Sequence, residues 1–252
     1  MLTELTDYYI RAGIAATAEY FHCPHEVACR ALCKDFVTPR EAFVGSEYER
    51  GVLPRVLFVS LDASSVDPGR APVQRTLAYM RFCEESGGCE PDNLHKSQHW
   101  YWTHRLAYEI LLPLAAERGI ASLTFREIHK YFAHTNSAKC KDAALGTNQG
   151  PALMFDNCRG FIREEVEILD PEIIITQGKR GKEAVDGLFP LVERKAHPAC
   201  PEWQYEILTV RSHAVLRFTT SHQRAVGPFN REKREMYPWL VQVVQTFFRG
   251  RC

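Results

Sequence analysis

The stretch that decides the fold reads FAHTNSAKC at residues 132–140 and, after a loop, FDNCRGFIREEVEILDPEIIITQG at residues 155–178. An apolar piece runs into Asn136, and a helix-like run follows the loop. Residues 173–175 then form a β-branched run typical of a buried strand. Strand, helix and strand in this order predict a βαβ unit. The unit carries a polar residue at one strand end and two cysteines in its connection.

The composition is that of a globular protein with a substantial core. With 252 residues, 45% hydrophobic and 25% charged, the chain suits one domain at residues 1–252 that carries an insertion. The formal net charge is zero, so a basic surface that binds nucleic acid must be local. No stretch approaches the roughly 18 apolar residues of a membrane span, and the N-terminus lacks a basic-then-apolar signal. We therefore expect a cytoplasmic protein that has no membrane partner.

Nine cysteines in a cytoplasmic chain indicate reduced thiols, some of which bind metal, rather than disulfides. Cys29 and Cys33 are four residues apart and would share one face of a helix. An isolated pair of this kind is typical of small buried side chains. The functional alternative is a pair of metal or cluster ligands.

A second buried strand comes earlier in the chain. Residues 54–62, PRVLFVSLD, are mostly apolar and β-branched and end at Asp62. An acidic residue at the carboxyl end of a parallel strand lies where open α/β sheets bind their ligands. As a single observation, Asp62 is better explained as the N-cap of a following helix.

The rest of the chain alternates between helical and strand patterns, which predicts a parallel-rich sheet with helices on both faces. Residues 83–102 contain Gly-Gly and Pro and are predicted as a long loop, within an insertion at about residues 81–103. Helices are predicted at 5–20, 71–82, 106–119, 178–188 and 231–248, and strands at 205–210 and 214–219.

The end of the predicted insertion is rich in aromatic and basic residues. Its rings either stack on bases beside phosphates or form the packed foot of the insertion, which is the commoner role of aromatic side chains. The residues concerned are Trp100, Tyr101 and Trp102, with Lys96, His99 and Arg105 nearby.

Four pieces of the chain follow one another in a characteristic order. They are Cys33 followed by AFVG at 42–45 and a strand, Asn136 followed by Lys139 and Cys140, Cys158 leading into PEIIITQG at 171–178, and SHQR at 221–224. In order and spacing they resemble the iron–sulfur branch of the uracil-DNA glycosylase superfamily, the family 4 and family 5 type. The resemblance covers about residues 23–248, apart from the insertion.

This resemblance implies a fold, a cofactor and a partner. The fold is α/β, with three αβα layers around a central, mostly parallel four-stranded sheet, and the partner is DNA, bound by a monomer. The cofactor is a [4Fe–4S] cluster held by four thiolates. Zinc also accepts four cysteines, so the resemblance selects iron. The implied ligands are Cys29, Cys33, Cys140 and Cys158, with Cys23 as a substitute because the family's first pair is usually closer together.

The resemblance also assigns roles to residues of the loops. Asp62 would stabilise positive charge on the sugar or orient a water, and His222 would stabilise the leaving base. Asn136 would bind the edge of the flipped base. The other implied contacts are Ser60, Ala63 and Pro72 for the base, and Arg70, Gln223 and Arg224 for DNA. Lys139 and Lys179 are expected on solvated faces rather than as lyase lysines.

Two departures from the family pattern bear on the substrate. The first loop reads SLDAS at 60–64 instead of Gly-Glu-x-Pro-Gly, so the acid is displaced by one position. Ala71 and Pro72 stand where the family has an aromatic residue that stacks on uracil. The loss of a stacking platform weakens base binding by about 1–3 kcal/mol and leaves room for a larger base.

These departures predict a glycosylase for a modified or bulky base, such as hypermodified cytosine in phage DNA, with a role in phage defence. Three alternatives stay open. They are a uracil-DNA glycosylase of base-excision repair, a family member without catalysis that binds nucleic acid, and a structural zinc protein.

Overall fold

The computed structural model describes residues 1–17, 19–62, 72–96, 98–120, 123–144, 150–223 and 225–250, without the side chain of Asp62. The strands are β1 Phe36–Val37, β2 Phe43–Val44, β3 Val56–Asp62, β4 Phe132–Ala138, β5 Lys141–Asp142, β6 Ile173–Gln177, β7 Leu191–His197, β8 Cys200–Val210 and β9 His213–Thr220. The α-helices are α1 Leu2–Arg11, α2 Glu26–Ala31, α3 Ser46–Arg50, α4 Leu77–Glu85, α5 His99–Glu117, α6 Ala152–Leu169, α7 Gly178–Val185 and α8 Val226–Arg249. Three 3₁₀ turns occupy Pro72–Arg75, Pro91–Asn93 and Phe125–Tyr131.

Seven of the strands form one mixed sheet in the order β2-β4-β3-β6-β9-β8-β7. The adjacent strands β4, β3, β6 and β9 run parallel to one another, whereas β2 at one edge and β8 and β7 at the other are antiparallel to their neighbours. The α/β class is therefore confirmed, but the sheet has seven strands where four were expected. The additional strands come from the short β2 and from the β7–β8 hairpin.

The order of the parallel strands creates a switch point. The chain passes from β3 to its neighbour β4 and then crosses back to β6 on the other side of β3. In open α/β sheets, the crevice at the carboxyl ends of the strands beside such a reversal is where ligands bind. Ser60 lies opposite Asn136 in the β3–β4 register, and Gln177 lies opposite Thr220 in the β6–β9 register. These positions define the edge that carries the candidate site.

Alternating side chains of the parallel strands supply two hydrophobic cores. On one face, Phe58 and Ile175 pack with side chains of α5 and α8, including Ile110 and Leu240. On the other face, residues such as Val59 pack with side chains of α1, α6 and α7. Full burial of one such aliphatic side chain stabilises the fold by about 1.5–3 kcal/mol. Helices therefore cover both faces of the sheet, as the alternating pattern predicted.

Several predicted helices have shifted bounds in the structure, and two regions differ more strongly. Helix α1 ends at Arg11, well before residue 20, because Gly13 has a φ of +68° and a Cβ there would lie 2.6 Å from the carbonyl oxygen of His22. The segment predicted as a loop at 83–102 contains the end of α4 and the beginning of α5. Among the described residues, no helix is long and apolar enough to cross a membrane.

Candidate active site and thiol cavity

Ser60 is the centre of a polar cluster at the switch point between β3 and β6. Its side chain is buried, and its hydroxyl donates to Oε1 of Gln177 at 2.5 Å. Oγ of Ser60 also lies 2.8 Å from Nε2 of His134 and 3.1 Å from Nε2 of His99. Because the one hydroxyl hydrogen is directed to Gln177, both imidazole nitrogens act as N–H donors to Ser60. The cluster thereby fixes a proton on Nε2 of each ring.

His134 remains neutral in this setting. Burial is the main cause that lowers its pKa well below the ordinary value, and the nearby His99, Arg40 and Lys139 lower it further. A neutral imidazole with its proton on Nε2 fits the donation to Ser60.

His222 enters the same region from the loop that follows β9. Its ring stacks on that of His99, with centroids 4.3 Å apart and planes inclined by 13°. Gly178, the first residue of α7, has a φ of +79°, and a Cβ there would lie 3.1 Å from Cβ of His222. A side chain at residue 178 would therefore be strained and would crowd His222.

The segment that carries His222 is anchored by α8. The backbone N–H and the hydroxyl of Ser221 both donate to the carboxylate of Glu232, each at 2.6 Å. Glu232 is buried, which raises its pKa, while the two donated hydrogen bonds oppose that shift. Glu232 therefore holds the residue that immediately precedes His222.

Asn136 lies on β4 next to this cluster. It is 6% exposed, and its Nδ2 donates to the carbonyl oxygen of Leu61 at 3.2 Å. Asp62 ends β3 opposite Ala138, so its backbone reaches the same edge of the sheet. Pro72 begins a 3₁₀ turn, and Gln223 directly follows His222. Ala63, Arg70 and Arg224 lie outside the described residues.

The structure thus brings Ser60, Asn136 and His222 to one edge of the sheet. It adds His99, His134 and Gln177, of which the sequence had singled out only His99, as part of the aromatic and basic segment that could contact nucleic acid. His134 precedes Asn136 by two residues on the same strand, so the alternation of side chains would have placed both on one face. His99 had been named only for its basic and aromatic neighbours, and its contact with Ser60 had no signal because its segment was predicted to be a loop.

The aromatic residues at the start of α5 have structural roles. Trp100 packs against Phe43, Phe132 and His134 with ring centroids 4.9–5.6 Å apart. Trp102 donates to the carbonyl oxygen of Lys96 and lies beneath the ammonium of Lys233, 4.0 Å from the ring centroid. Trp100 therefore has a packing role and not the base-stacking role that was its alternative.

A second site lies between α2, the end of β4 and α6. Four cysteines, Cys23, Cys29, Cys140 and Cys158, line one small cavity with a volume of about 10 Å³. Cys33 is absent from the lining of this cavity, although it packs against the hydrophobic cluster beside it. Cys23, which was considered as a substitute for Cys29, therefore lines the cavity together with Cys29. Cys29 and Cys33 do not share a helical face, as the spacing had predicted, because α2 ends at Ala31, before the second thiol.

The cysteine sulfur atoms of this cavity have N–H donors beside them. The backbone N–H of Lys139 and the Nδ2 of Asn157 are each 3.4 Å from a cysteine sulfur, that of Cys158 and Cys29 respectively. Burial raises the pKa of Cys158 to about 12 and that of Cys140 well above its ordinary value. Four thiols that share one cavity with N–H donors fit an iron–sulfur cluster in the chemistry of the donor set. As positioned, no three His, Cys, Asp or Glu side chains in the described ranges are arranged to hold a metal ion.

Lys139 is not on a solvated face, as had been expected. Its side chain is 1% exposed and pairs with Glu165 of α6, which is fully buried. Lys179 does lie on a solvated face, with a side chain that is 85% exposed.

A polar groove lined by both cations and carboxylates adjoins the His222 segment. It has a volume of about 400 Å³ and is lined by Lys179, Lys182 and Arg231 together with Ser221 and residues of β8 and β9. Lys182 and Arg231 pair with carboxylates, Asp186 and Glu202. Lys179 likewise pairs with Glu183, and Arg217 of the lining pairs with Asp186, so the cations of this groove are interleaved with acids.

No protein-family model matches this chain, and no curated protein matches its sequence.

Proposed function

We propose that this chain is a DNA glycosylase of the uracil-DNA glycosylase type, which flips out a modified or bulky base and hydrolyses its N-glycosidic bond. The observation that carries the proposal is that Asn136, the end of β3 and the loop with His222 all lie at the carboxyl edge of the parallel strands, where the sheet has its switch point. The four adjacent parallel strands, with helices on both faces, support the three-layer fold that the sequence resemblance implies.

In the proposed chemistry, different residues stabilise the two opposite charges that develop as the N-glycosidic bond breaks. Cleavage builds positive charge on the sugar and negative charge on the leaving base. Asp62, at the carboxyl end of β3, would stabilise the sugar cation or orient the attacking water. His222 would donate to an oxygen of the leaving base, and Asn136 would hold the base edge through its amide.

The proposal includes a [4Fe–4S] cluster held by Cys23, Cys29, Cys140 and Cys158. Such a cluster would tie the α2 region to the segment after β4 and to α6, since Cys23 precedes α2, Cys29 lies in it, Cys140 follows β4 and Cys158 lies in α6. Its contribution would be structural. Asn136 lies only four residues before Cys140, so a fixed Cys140 would also stabilise the strand that presents Asn136.

Base release from a panel of DNA substrates tests the proposal. The panel contains unmodified DNA, uracil-containing DNA and phage DNA with hypermodified cytosine, and abasic sites are detected by alkaline cleavage. We expect cleavage of the modified DNA and little or none of the others. Cleavage of uracil-containing DNA alone would instead assign base-excision repair. If all three substrates are left intact by the iron-loaded protein, the glycosylase proposal is wrong.

Asp62→Asn separates catalysis from binding. We expect this variant to bind the modified DNA as the wild type does but to release no base, because the amide carries no negative charge toward the sugar. Glu85→Gln, an exposed carboxylate of α4, is the matched control and should retain activity. Equal base release by Asp62→Asn and the wild type would remove Asp62 from the mechanism.

A second candidate function is nucleic-acid binding without catalysis. It is favoured by the position of the acid, because Asp62 is still paired with Ala138 within β3 instead of lying in the loop beyond it. The same panel decides between the two, since a binding module would retain DNA in a shift assay and release no base from any substrate.

A further inference from the structure

His99 holds a fixed position between two strands and His222. It is the first residue of α5, and its Nε2 contacts Oγ of Ser60 at 3.1 Å and Oε1 of Gln177 at 3.0 Å. The face of its ring lies against the face of His222, with centroids 4.3 Å apart. One edge of the imidazole is therefore tied to β3 and β6, while a flat face is presented to His222.

The residues that hold His99 in place are buried and are joined to one another by hydrogen bonds. Thr103, one turn further along α5, is fully buried, and its hydroxyl lies 3.3 Å from the carbonyl oxygen of His99. The amide of Gln177 donates to Thr103 at 3.2 Å while its oxygen accepts from Ser60. Gln177 thus connects Ser60 with Thr103 across the position of His99, and the ring of His99 has little freedom to turn.

His222 depends more on its neighbours for its orientation. It lies in a loop that is anchored one residue earlier, where Ser221 donates to Glu232. Nearly parallel stacking on a fixed ring restricts the side-chain torsions of His222.

We propose that His99 is a positioning residue for His222, whose ring plane it sets by stacking. The segment that carries His99 would then be part of the site and not an insertion beside it. The kinetic consequence rests on the proposed function, because a base-release assay needs a glycosylase. The ring contact itself can be tested without any activity.

Two substitutions separate the stacking face from the hydrogen bond. His99→Phe keeps a flat ring but loses the Nε2 proton, whereas His99→Gln keeps a donor but loses the ring. We expect kcat of base release to fall about 10- to 100-fold in His99→Gln, with KM within about 2-fold, and to stay within about 3-fold of the wild type in His99→Phe. His95→Gln, an exposed histidine before the same helix, is the control and should behave as the wild type. Equal losses in both His99 variants would overturn the proposal.

The ring signals of His222 in DNA-free protein, measured by NMR with labelled histidine, supply the second readout. We expect one sharp set in the wild type and in His99→Phe, and a shifted or broadened set in His99→Gln. Unchanged His222 signals in His99→Gln would overturn the inference, whatever the activity. If the wild type releases no base but the NMR contrast is present, the proposed function fails and the positioning contact stands. Thermal unfolding of each variant confirms that the compared proteins are folded.

Discussion

The ammonium of Lys139 contacts the carboxylate of Glu165 in the buried space between β4 and α6. The pair is surrounded by hydrogen bonds, since Tyr9 donates to Glu165 at 2.6 Å and Thr135 donates to it at 2.7 Å. Lys139 also donates to Thr135 at 2.8 Å. The backbone N–H of Lys139 donates to Cys158, so the ion pair and the thiol cavity share one residue.

Removal of one charge from this pair should destabilise the fold strongly. Glu165→Gln preserves the shape of the side chain but leaves the Lys139 ammonium without a counter-charge in a buried position. We expect the free energy of unfolding in urea to fall by about 3–5 kcal/mol. Glu26→Gln, which breaks an exposed pair with Arg30, is the control and should cost about 0–1 kcal/mol. A loss below about 1 kcal/mol in Glu165→Gln would contradict the buried-pair interpretation.

The thiol cavity predicts which cysteines retain iron. In protein purified without oxygen, we expect a broad visible absorption band and about four irons per chain. Cys23→Ala should lose most of this iron because it removes one of the four lining thiols, whereas Cys33→Ala should retain it. Cys83→Ala, distant in sequence from the cavity residues, serves as the control. Iron loss in Cys33→Ala with retention in Cys23→Ala would reverse the ligand assignment, and a colourless wild-type protein after reconstitution would remove the cluster.

His104 predicts a loss of stability in mild acid. Its side chain is fully buried, and burial lowers its pKa from the ordinary 6.5 to about 4. Between these two pKa values the unfolded chain binds a proton that the folded protein does not. The stability contributed by neutral His104 is therefore complete above about pH 6.5 and is lost as the pH falls toward 4.

Urea unfolding at pH 7 and pH 5 measures this effect. The contribution of His104 should make the wild type about 2 kcal/mol less stable at pH 5 than at pH 7. His104→Gln should reduce that difference, while His95→Gln at the surface should leave it unchanged. An undiminished difference in His104→Gln would show that other groups carry the pH dependence.

The parts of the structure that follow from local pattern were predictable from the sequence. The apolar runs at 56–59 and 173–175 are strands, and alternating elements placed helices on both faces. The position of Asn136 beside Ser60 follows from parallel strands of similar length. These features depend on side-chain periodicity, which is present in a single sequence.

The remainder depends on long-range contacts that no local pattern encodes. His99 is 39 residues from Ser60 and 78 from Gln177, and only the packed fold brings the three together. Lys139 looked like a surface residue because its buried partner, Glu165, is 26 residues away. Cys23 precedes Cys29 and Cys33 follows it, both within a few residues. Only Cys23 lines the cavity, because the short α2 ends before Cys33.

Ser60→Ala tests the centre of the candidate site. The substitution removes the hydroxyl that donates to the oxygen of Gln177 and that accepts from Nε2 of His99 and of His134. The oxygen of Gln177 keeps His99 as a donor at 3.0 Å. We expect a loss of about 1–3 kcal/mol in the free energy of unfolding and a fall in kcat of base release of about 10- to 100-fold. We expect base release to fall while the protein stays folded, because the Gln177 and His99 side chains lose their fixed positions without unfolding of the chain. Ser86→Ala, which removes an exposed hydroxyl after α4, controls for the loss of a serine. Unaltered base release in Ser60→Ala would show that the polar cluster supports the fold alone.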